Sequence, residues 1–294
     1  MGTHGHTQYS QSWKVLFRPY HCRICQRYLE STTHLDCPVK IIKLNWLRNI
    51  LLLFLLLLSP FWPLHSNVLP FPENERLEYQ MRWNFIRVGT AILIRNPDTT
   101  FETKPCLHFT MIARTYGIAD KIFKVRDRID SYTDPDLHNT LHYKQRQKEG
   151  KTDRDIVVRF DREKQLAHYT NHGKPNEKAL QIRQGILDPL SIMYALRTKK
   201  PKIGDQIKLP ATDGKKLIDV EVSVLKREII KVPAGKFPAL ILAPATKDLR
   251  GVFKKTKNSK IEIWVSDDDR YLPLRVKSKV IVGSFVGELD KIGK

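Results

Sequence analysis

Ile218-Asp219-Val220-Glu221-Val222-Ser223-Val224 alternates apolar with polar side chains throughout. Successive side chains of a strand point to opposite faces, so this spacing builds one apolar face and one wetted face. Asp213-Gly214 before it and Ala234-Gly235 after it supply turns. Phe237 to Ala243, Ile261 to Val265 and Leu272 to Ile281 continue the strands toward the C-terminus.

The same grammar runs back toward the N-terminus. Leu77, Tyr79, Met81 and Trp83 alternate with polar residues, Gly89 marks a bend or bulge, and Thr90 to Ile94 continues as a second strand. Residues 105–115 read as strand, Gly117 to Val125 as a short helix, and alternation resumes at 126–134. Residues 140–147 and 155–171 read as two long antiparallel strands joined at Glu149-Gly150-Lys151. One segment breaks the pattern. Asp188-Pro189 sets a capping side chain before a proline at the first helical position, and Leu190 to Arg197 follows with helical period. Pro201 and Gly204 end that helix. About ten strands with one firm helix predict a mostly β chain. Its expected form is a curved antiparallel sheet, a half-barrel or open barrel, with one or two short helices.

A different signal precedes this body. Ile50 to Leu58 is an unbroken apolar run with Lys40, Lys43 and Arg48 before it and Pro60 and Pro63 after it. That order of basic flank, apolar stretch and helix breakers is expected of a hydrophobic signal or anchor helix over 45–66. The span is short for a stable membrane crossing, and Ser66 is a small residue before a cut, so cleavage is expected near Asn67. The resulting division is a head (1–44), a signal peptide or membrane anchor (45–66) and an exported β-rich domain (67–294). The head reads in two ways. Either Met1 starts a cytoplasmic extension, or Val39 is the true initiator and 39–66 is a complete signal peptide. Export places the body in the periplasm or cell envelope.

The chain has 294 residues and a formal net charge of +20. An exported basic protein does not meet DNA, so no nucleic-acid partner is expected. Its anionic neighbours would be lipid, a lipoprotein or an envelope glycan. Only Cys106 lies in the body, which rules out an intramolecular disulfide there. In the head, Cys22, Cys25, His34 and Cys37 offer two short pairs of soft ligands, a weak zinc pattern with no apolar residues around it.

Ile263-Trp264-Val265-Ser266-Asp267-Asp268, Arg270, Leu272-Pro273 and Gly283-Ser284 before Leu289 form an ordered set. Together with Leu77-x-Tyr79, Gly89, Asp188-Pro189-Leu190-Ser191, Arg197 and Gly204-Asp205, it resembles a family of exported bacterial proteins catalogued as domain of unknown function 3108. The likeness covers about residues 74–291. It implies an envelope-located β domain, related in fold to periplasmic lipoprotein carriers, with no site residues to carry over.

Catalytic patterns are thin. Asp267-Asp268-Asp269 could hold a hard cation, and His138 and His142 with Asp134 and Asp136 a transition metal, but both also fit solvated turns. Ser191 follows Asp188 without a nucleophile elbow, and no glycine-rich phosphate loop occurs. No cofactor is expected. The leading expectation is a non-enzymatic binding domain for a lipid, lipoprotein or other anionic amphiphile. Trp83, Val222, Met193 and Tyr194 would line its apolar interior, with Arg275, Lys277 and Lys279 on one face of one strand near the rim. An envelope assembly partner and a hydrolase using dispersed carboxylates are the alternatives. Lys254, Lys255, Lys257 and Lys260 add to the basic cluster.

Overall fold

The computed structural model describes residues 69–245, 261–279 and 283–293. The head, the apolar run, the ligand set Cys22, Cys25, His34 and Cys37, and the lysines at 254–260 lie outside the described residues. Among those described, no helix is long and apolar enough to cross a membrane. His65–Lys294 is one compact unit, and the core cluster of the described residues, from Phe71 to Leu289, lies wholly within it.

The chain enters through β1 (Arg76–Trp83), β2 (Ile86–Arg95), β3 (Thr99–Phe101) and β4 (Lys104–Thr115). Helix α1 (Gly117–Ile122) leads to β5 (Arg126–Thr133), β6 (Thr140–Glu149), β7 (Thr152–Asp161) and β8 (Leu166–Asn171). Two short strands follow, β9 (Lys174–Pro175) and β10 (Leu180–Gln181), and then helix α2 (Ser191–Thr198). The last six strands are β11 (Gln206–Thr212), β12 (Leu217–Val232), β13 (Gly235–Pro244), β14 (Ile261–Ser266), β15 (Pro273–Lys279) and β16 (Ser284–Gly293).

Fourteen of these strands follow one path, β10-β8-β7-β6-β5-β4-β2-β1-β16-β15-β14-β13-β12-β11. Neighbours along it are antiparallel, and the first and last long strands of the chain meet at β1–β16. The sheet is open: β10 and β11 end the path without pairing each other. Residues 182–188 cross between the two halves, with Thr140 N donating to Ile186 O at 2.9 Å and Leu187 N to Pro210 O at 3.0 Å. A curved, unclosed antiparallel sheet with two short helices is therefore the observed architecture.

Several details depart from the sequence reading. The first strand does not run on to Gly89, because Asn84 takes a positive φ of 51° and Asn84-Phe85 turns β1 into β2. Asn adopts that region more readily than most residues, so the turn needs no glycine. The bulge expected at Gly89 exists beside it, where Met81 pairs with Gly89 and Arg82 with Arg87, leaving Val88 extra. Gly89 is also required by space, since a side chain there would strike the backbone of Arg114. Residues 155–171 form two strands rather than one, turned between Asp161 and Leu166 with Gln165 at φ 53°. Such breaks raise the described strands to sixteen, above the ten that periodicity suggested.

Helix α2 starts as its sequence requires. Asp188 Oδ1 accepts from the backbone N–H of Leu190 at 2.8 Å and of Ser191 at 3.1 Å. Ser191 Oγ accepts in return from Asp188 N at 3.0 Å, a reciprocal cap. Lys200, at φ 49°, and Pro201 end the helix. Its buried face packs into the concave side of the sheet. Tyr194 stacks on Phe109 with ring centroids 3.9 Å apart and meets Phe71 edge-on at 5.2 Å.

Candidate functional site

The inner face of β1 shows how the concavity changes along its length. Leu77 and Tyr79 are buried, Met81 packs against the core partly covered, and Trp83 is 39% exposed. Their alternation keeps all four on one face, so the apolar row runs out of the core onto the end of the sheet. Trp83 stacks there on Phe285 at 6.4 Å.

The helix end of the concavity is full. Tyr194 and Val222 are buried, and Met193 borders an apolar crevice of only about 30 Å³ with Leu196, Ile263, Val265 and Pro273. That is room for a water or two and far too little for an acyl chain. Below the helix, Arg197 is 2% exposed and grips Glu75 through two bonds, Nη1–Oε2 at 2.6 Å and Nη2–Oε1 at 2.8 Å. Its Nε donates to Arg270 O at 3.0 Å, and its guanidinium lies 4.9 Å over the Phe71 ring. The pair therefore ties the helix to the entry segment and to the turn before β15. Sequence reasoning picked out Arg197 but not Glu75, because nothing in a linear pattern links residues that far apart.

At the start of the helix, Asp188 is fully buried. Its Oδ2 accepts from Ser131 Oγ at 2.5 Å and from Thr140 Oγ1 at 2.7 Å. The hydroxyl of Ser191 is committed to the same network and is itself fully buried, which makes it an architectural group rather than an exposed nucleophile. The other candidates are dispersed. Asp268 bonds Arg270 and Ser266, while Asp267 pairs with Arg227. Asp134 Oδ1 accepts from the backbone N–H of His138 and Asn139. His142 is buried under Phe101, and burial lowers its pKa to about 4, so it is neutral at pH 7. Among the described residues, no group of three or more His, Cys, Asp or Glu side chains could hold a metal ion.

The basic strand faces outward. Arg275 on β15 pairs with Trp264 of β14 on one side and Glu288 of β16 on the other. Its guanidinium lies 5.5 Å from the Trp264 ring centroid, and its Nη2 meets Glu288 Oε1 at 2.7 Å. The same glutamate takes Arg82 Nη1 at 3.1 Å from β1. Lys277 and Lys279 alternate with Val276 and Ser278 and stay exposed. These strands border an open groove of about 430 Å³ lined by Arg82, Phe85, Arg275, Lys277, Val286 and Glu288, among others. Arg82 Nε is buried without a hydrogen-bond partner among the described residues. The groove therefore sets unspent cationic donors beside apolar side chains. Of the residues expected together, Arg275 and Lys277 share this groove, Tyr194, Met193 and Val222 belong to the filled interior, and Trp83 stands at the end between them.

A second open depression, about 440 Å³, lies by β3, β7 and β8 and carries both signs of charge, including Arg159 paired with Glu102. Near α1, Asp127 is buried and hydrogen-bonded to Lys148 N at 2.9 Å. Burial and the neighbouring Glu149 carboxyl push its pKa up to about 7.

Comparison with known proteins gives a family and a set of folds. Residues 78–290 match the family described as Protein of unknown function (DUF3108). No curated protein matches the sequence. Among solved structures, the chain is similar to a β-barrel-like protein of domain of unknown function DUF1849 from Brucella abortus. The identity is 11% and the TM-score 0.49, over 75% of this chain and 97% of that one. A protein described as exported, with a YmcC-like fold, from Bacteroides fragilis is 10% identical, with a TM-score of 0.31 over 77% and 98%. One described as a lipoprotein, from Parabacteroides distasonis, is 12% identical, with a TM-score of 0.32 over 76% and 97%.

Proposed function

The chain belongs to the DUF3108 family of proteins of unknown function, and from that premise we propose that its body is a non-enzymatic, envelope-located binding domain for an anionic amphiphile, a lipid or a lipoprotein. The observation that carries this reading is the outer groove, where Arg82, Arg275 and Lys277 stand beside Phe85 and Val286. An anionic head group needs the first set and an acyl chain the second. Glu288 already neutralises much of Arg82 and Arg275, so Lys277, which forms no ion pair among the described residues, is the charge that selects the head group. The envelope placement rests on the apolar run at 50–58 and its basic flank. The filled helix end supports binding at the outer groove over enclosure of a chain inside the sheet.

The test uses a soluble probe, dodecyl phosphate below its micelle concentration, against dodecyl maltoside as the neutral control. Tighter binding of the phosphate is expected, with Lys277→Glu weakening it roughly fivefold or more, the size of one charge contact near a surface. Native mass spectrometry of protein prepared without detergent should show retained lipid. Equal affinity for the two probes, or no uptake of either at micromolar concentration, would refute the proposal.

A further inference from the structure

The end of the sheet where Trp83 emerges gathers several independent segments. The β1–β2 hairpin is tied to the start of β16, with Asn84 N donating to Ser284 O at 2.8 Å and Ser284 N to Asn84 Oδ1 at 2.9 Å. Tyr116, at the entry to α1, donates its N–H to Val88 O at 3.1 Å, which brings the helix beside the same hairpin. Gly150, in the β6–β7 turn, lies so close to the Phe123 ring that a side chain there would meet it at 2.7 Å. Strand pairing places all of these at one end of neighbouring strands β16, β1, β2, β4, β5, β6 and β7.

What this rim displays is unusual for a surface in water. Phe85 is 91% exposed, Ile86 65%, Ile118 78% and Ile122 79%, with Trp83 and Phe285 beside them. More than half of the exposed large apolar side chains among the described residues lie here. Ile118 and Ile122 are one helical turn apart, so α1 presents them together. Scattered exposed hydrophobes need no explanation, but a gathered set marks an interaction surface.

The charges around it choose the partner. Arg87, Lys121, Lys124, Lys148 and Lys151 are exposed at the same rim and carry no ion pair among the described residues. Of the neighbouring carboxylates, Asp120 is held by Arg126, Asp153 by Arg146, and Glu149 is hydrogen-bonded to the buried Asp127. A protein partner with an apolar patch would not require this ring of cations. Apolar and aromatic tips surrounded by free lysine and arginine fit an anionic bilayer, where the tips enter the interfacial layer and the cations meet head groups.

We propose that this rim is a membrane-docking surface, through which the folded body seats on an anionic phospholipid bilayer. The contact requires neither the apolar run at 50–58 nor an amphiphile in the outer groove, and Phe85 borders both surfaces. It orients the sheet with the β1–β2 hairpin and α1 toward the lipid.

The test uses residues 65–294, which contain only Trp83 and the buried Trp264, so emission changes on binding report Trp83. Vesicles of phosphatidylcholine with about a quarter phosphatidylglycerol should shift Trp83 emission to the blue, and brominated lipid should quench it. Vesicles of phosphatidylcholine alone should bind far less, and raising salt from about 0.1 to about 1 M should weaken the anionic case as screening tightens. Ile118→Ser with Ile122→Ser should lower vesicle affinity at least about tenfold, and Lys121→Glu roughly fivefold. Ile122 is outside the groove, so its effect on vesicles separates this surface from the Lys277 effect on dodecyl phosphate. Two results would overturn the proposal. One is undiminished vesicle binding by the double serine variant. The other is concentration-dependent self-association in the absence of lipid that Phe85→Ser abolishes, which would make the rim an interface between copies of the chain.

Discussion

The two ends of the concave face are written in the same alphabet and end differently. At the helix end, apolar residues meet Tyr194, Leu190 and Phe109 and disappear from solvent. At the hairpin end, residues in the same alternation, Trp83 and Phe285, meet no covering helix among the described residues and are about two-fifths exposed there. Alternation selects a face; what packs opposite decides whether that face becomes core or surface. The polar groups divide in the same way. Near the helix, Arg197 and Asp188 are buried and fully engaged, whereas at the rim the lysines are exposed and free of ion pairs among the described residues.

The comparison is broken most severely at Arg197. Arg197→Ala should destabilise the fold by about 3–5 kcal/mol, because Glu75 would be left as an unpaired buried charge. Denaturant midpoints would measure it. Replacing both partners, Arg197→Met with Glu75→Leu, should recover most of that loss, since the desolvation cost of both charges vanishes together. A double variant as unstable as Arg197→Ala would mean that the hydrogen bonds to Arg270 O and Pro70 O dominate instead.

A smaller effect with a definite sign is expected at Asp127. Its folded pKa, about 7, lies above the usual carboxylate value, so the native state holds this proton more tightly than the unfolded chain does. The associated stability is present in acid and is lost as pH rises from about 4 toward about 7. Asp127→Asn keeps an acceptor for Lys148 N and cannot ionise. It should therefore melt close to the natural protein at pH 4 and a few degrees above it at pH 8. Equal melting temperatures at pH 8 would show that folding does not raise the pKa of Asp127.

The smallest effect sharpens the contrast from the other side. Phe85→Ser should change stability by less than about 0.5 kcal/mol, the range of surface substitutions, although Phe85 is a large aromatic residue. Thermal melts of the free protein would reveal a larger loss if the rim were packed rather than open.

The sequence determined a good deal of this. Ile218 to Val224 announces its strand because a period of two has no other common cause, and β12 lies there, with Val222 and Val224 turned into the core. Asp188-Pro189 announces the helix because capping chemistry is local, and the observed bonds to Leu190 and Ser191 are those the pattern requires. The set around Trp264, Asp268 and Leu272 pointed to the family that the chain matches. The hairpin at Asn84-Phe85 was less legible, because Asn in a left-handed conformation lacks the plain signature of glycine. Glu75 and Arg197 are joined only after the helix enters the sheet, so no local signal could pair them.

The tertiary structure decided the fate of each apolar residue. Leu77, Tyr79, Met81 and Trp83 share one pattern, but the short helix α2 covers only part of the sheet, and the row passes from core to open rim. It also turned Arg275 and Lys277 outward into a groove with Phe85 and gathered Ile118 and Ile122 of helix α1 beside Phe85 of the β1–β2 turn. Periodicity along a chain records which side chains share a face. Which faces find partners depends on strand order, helix length and turn position, and those follow from packing over distances that a local pattern does not encode.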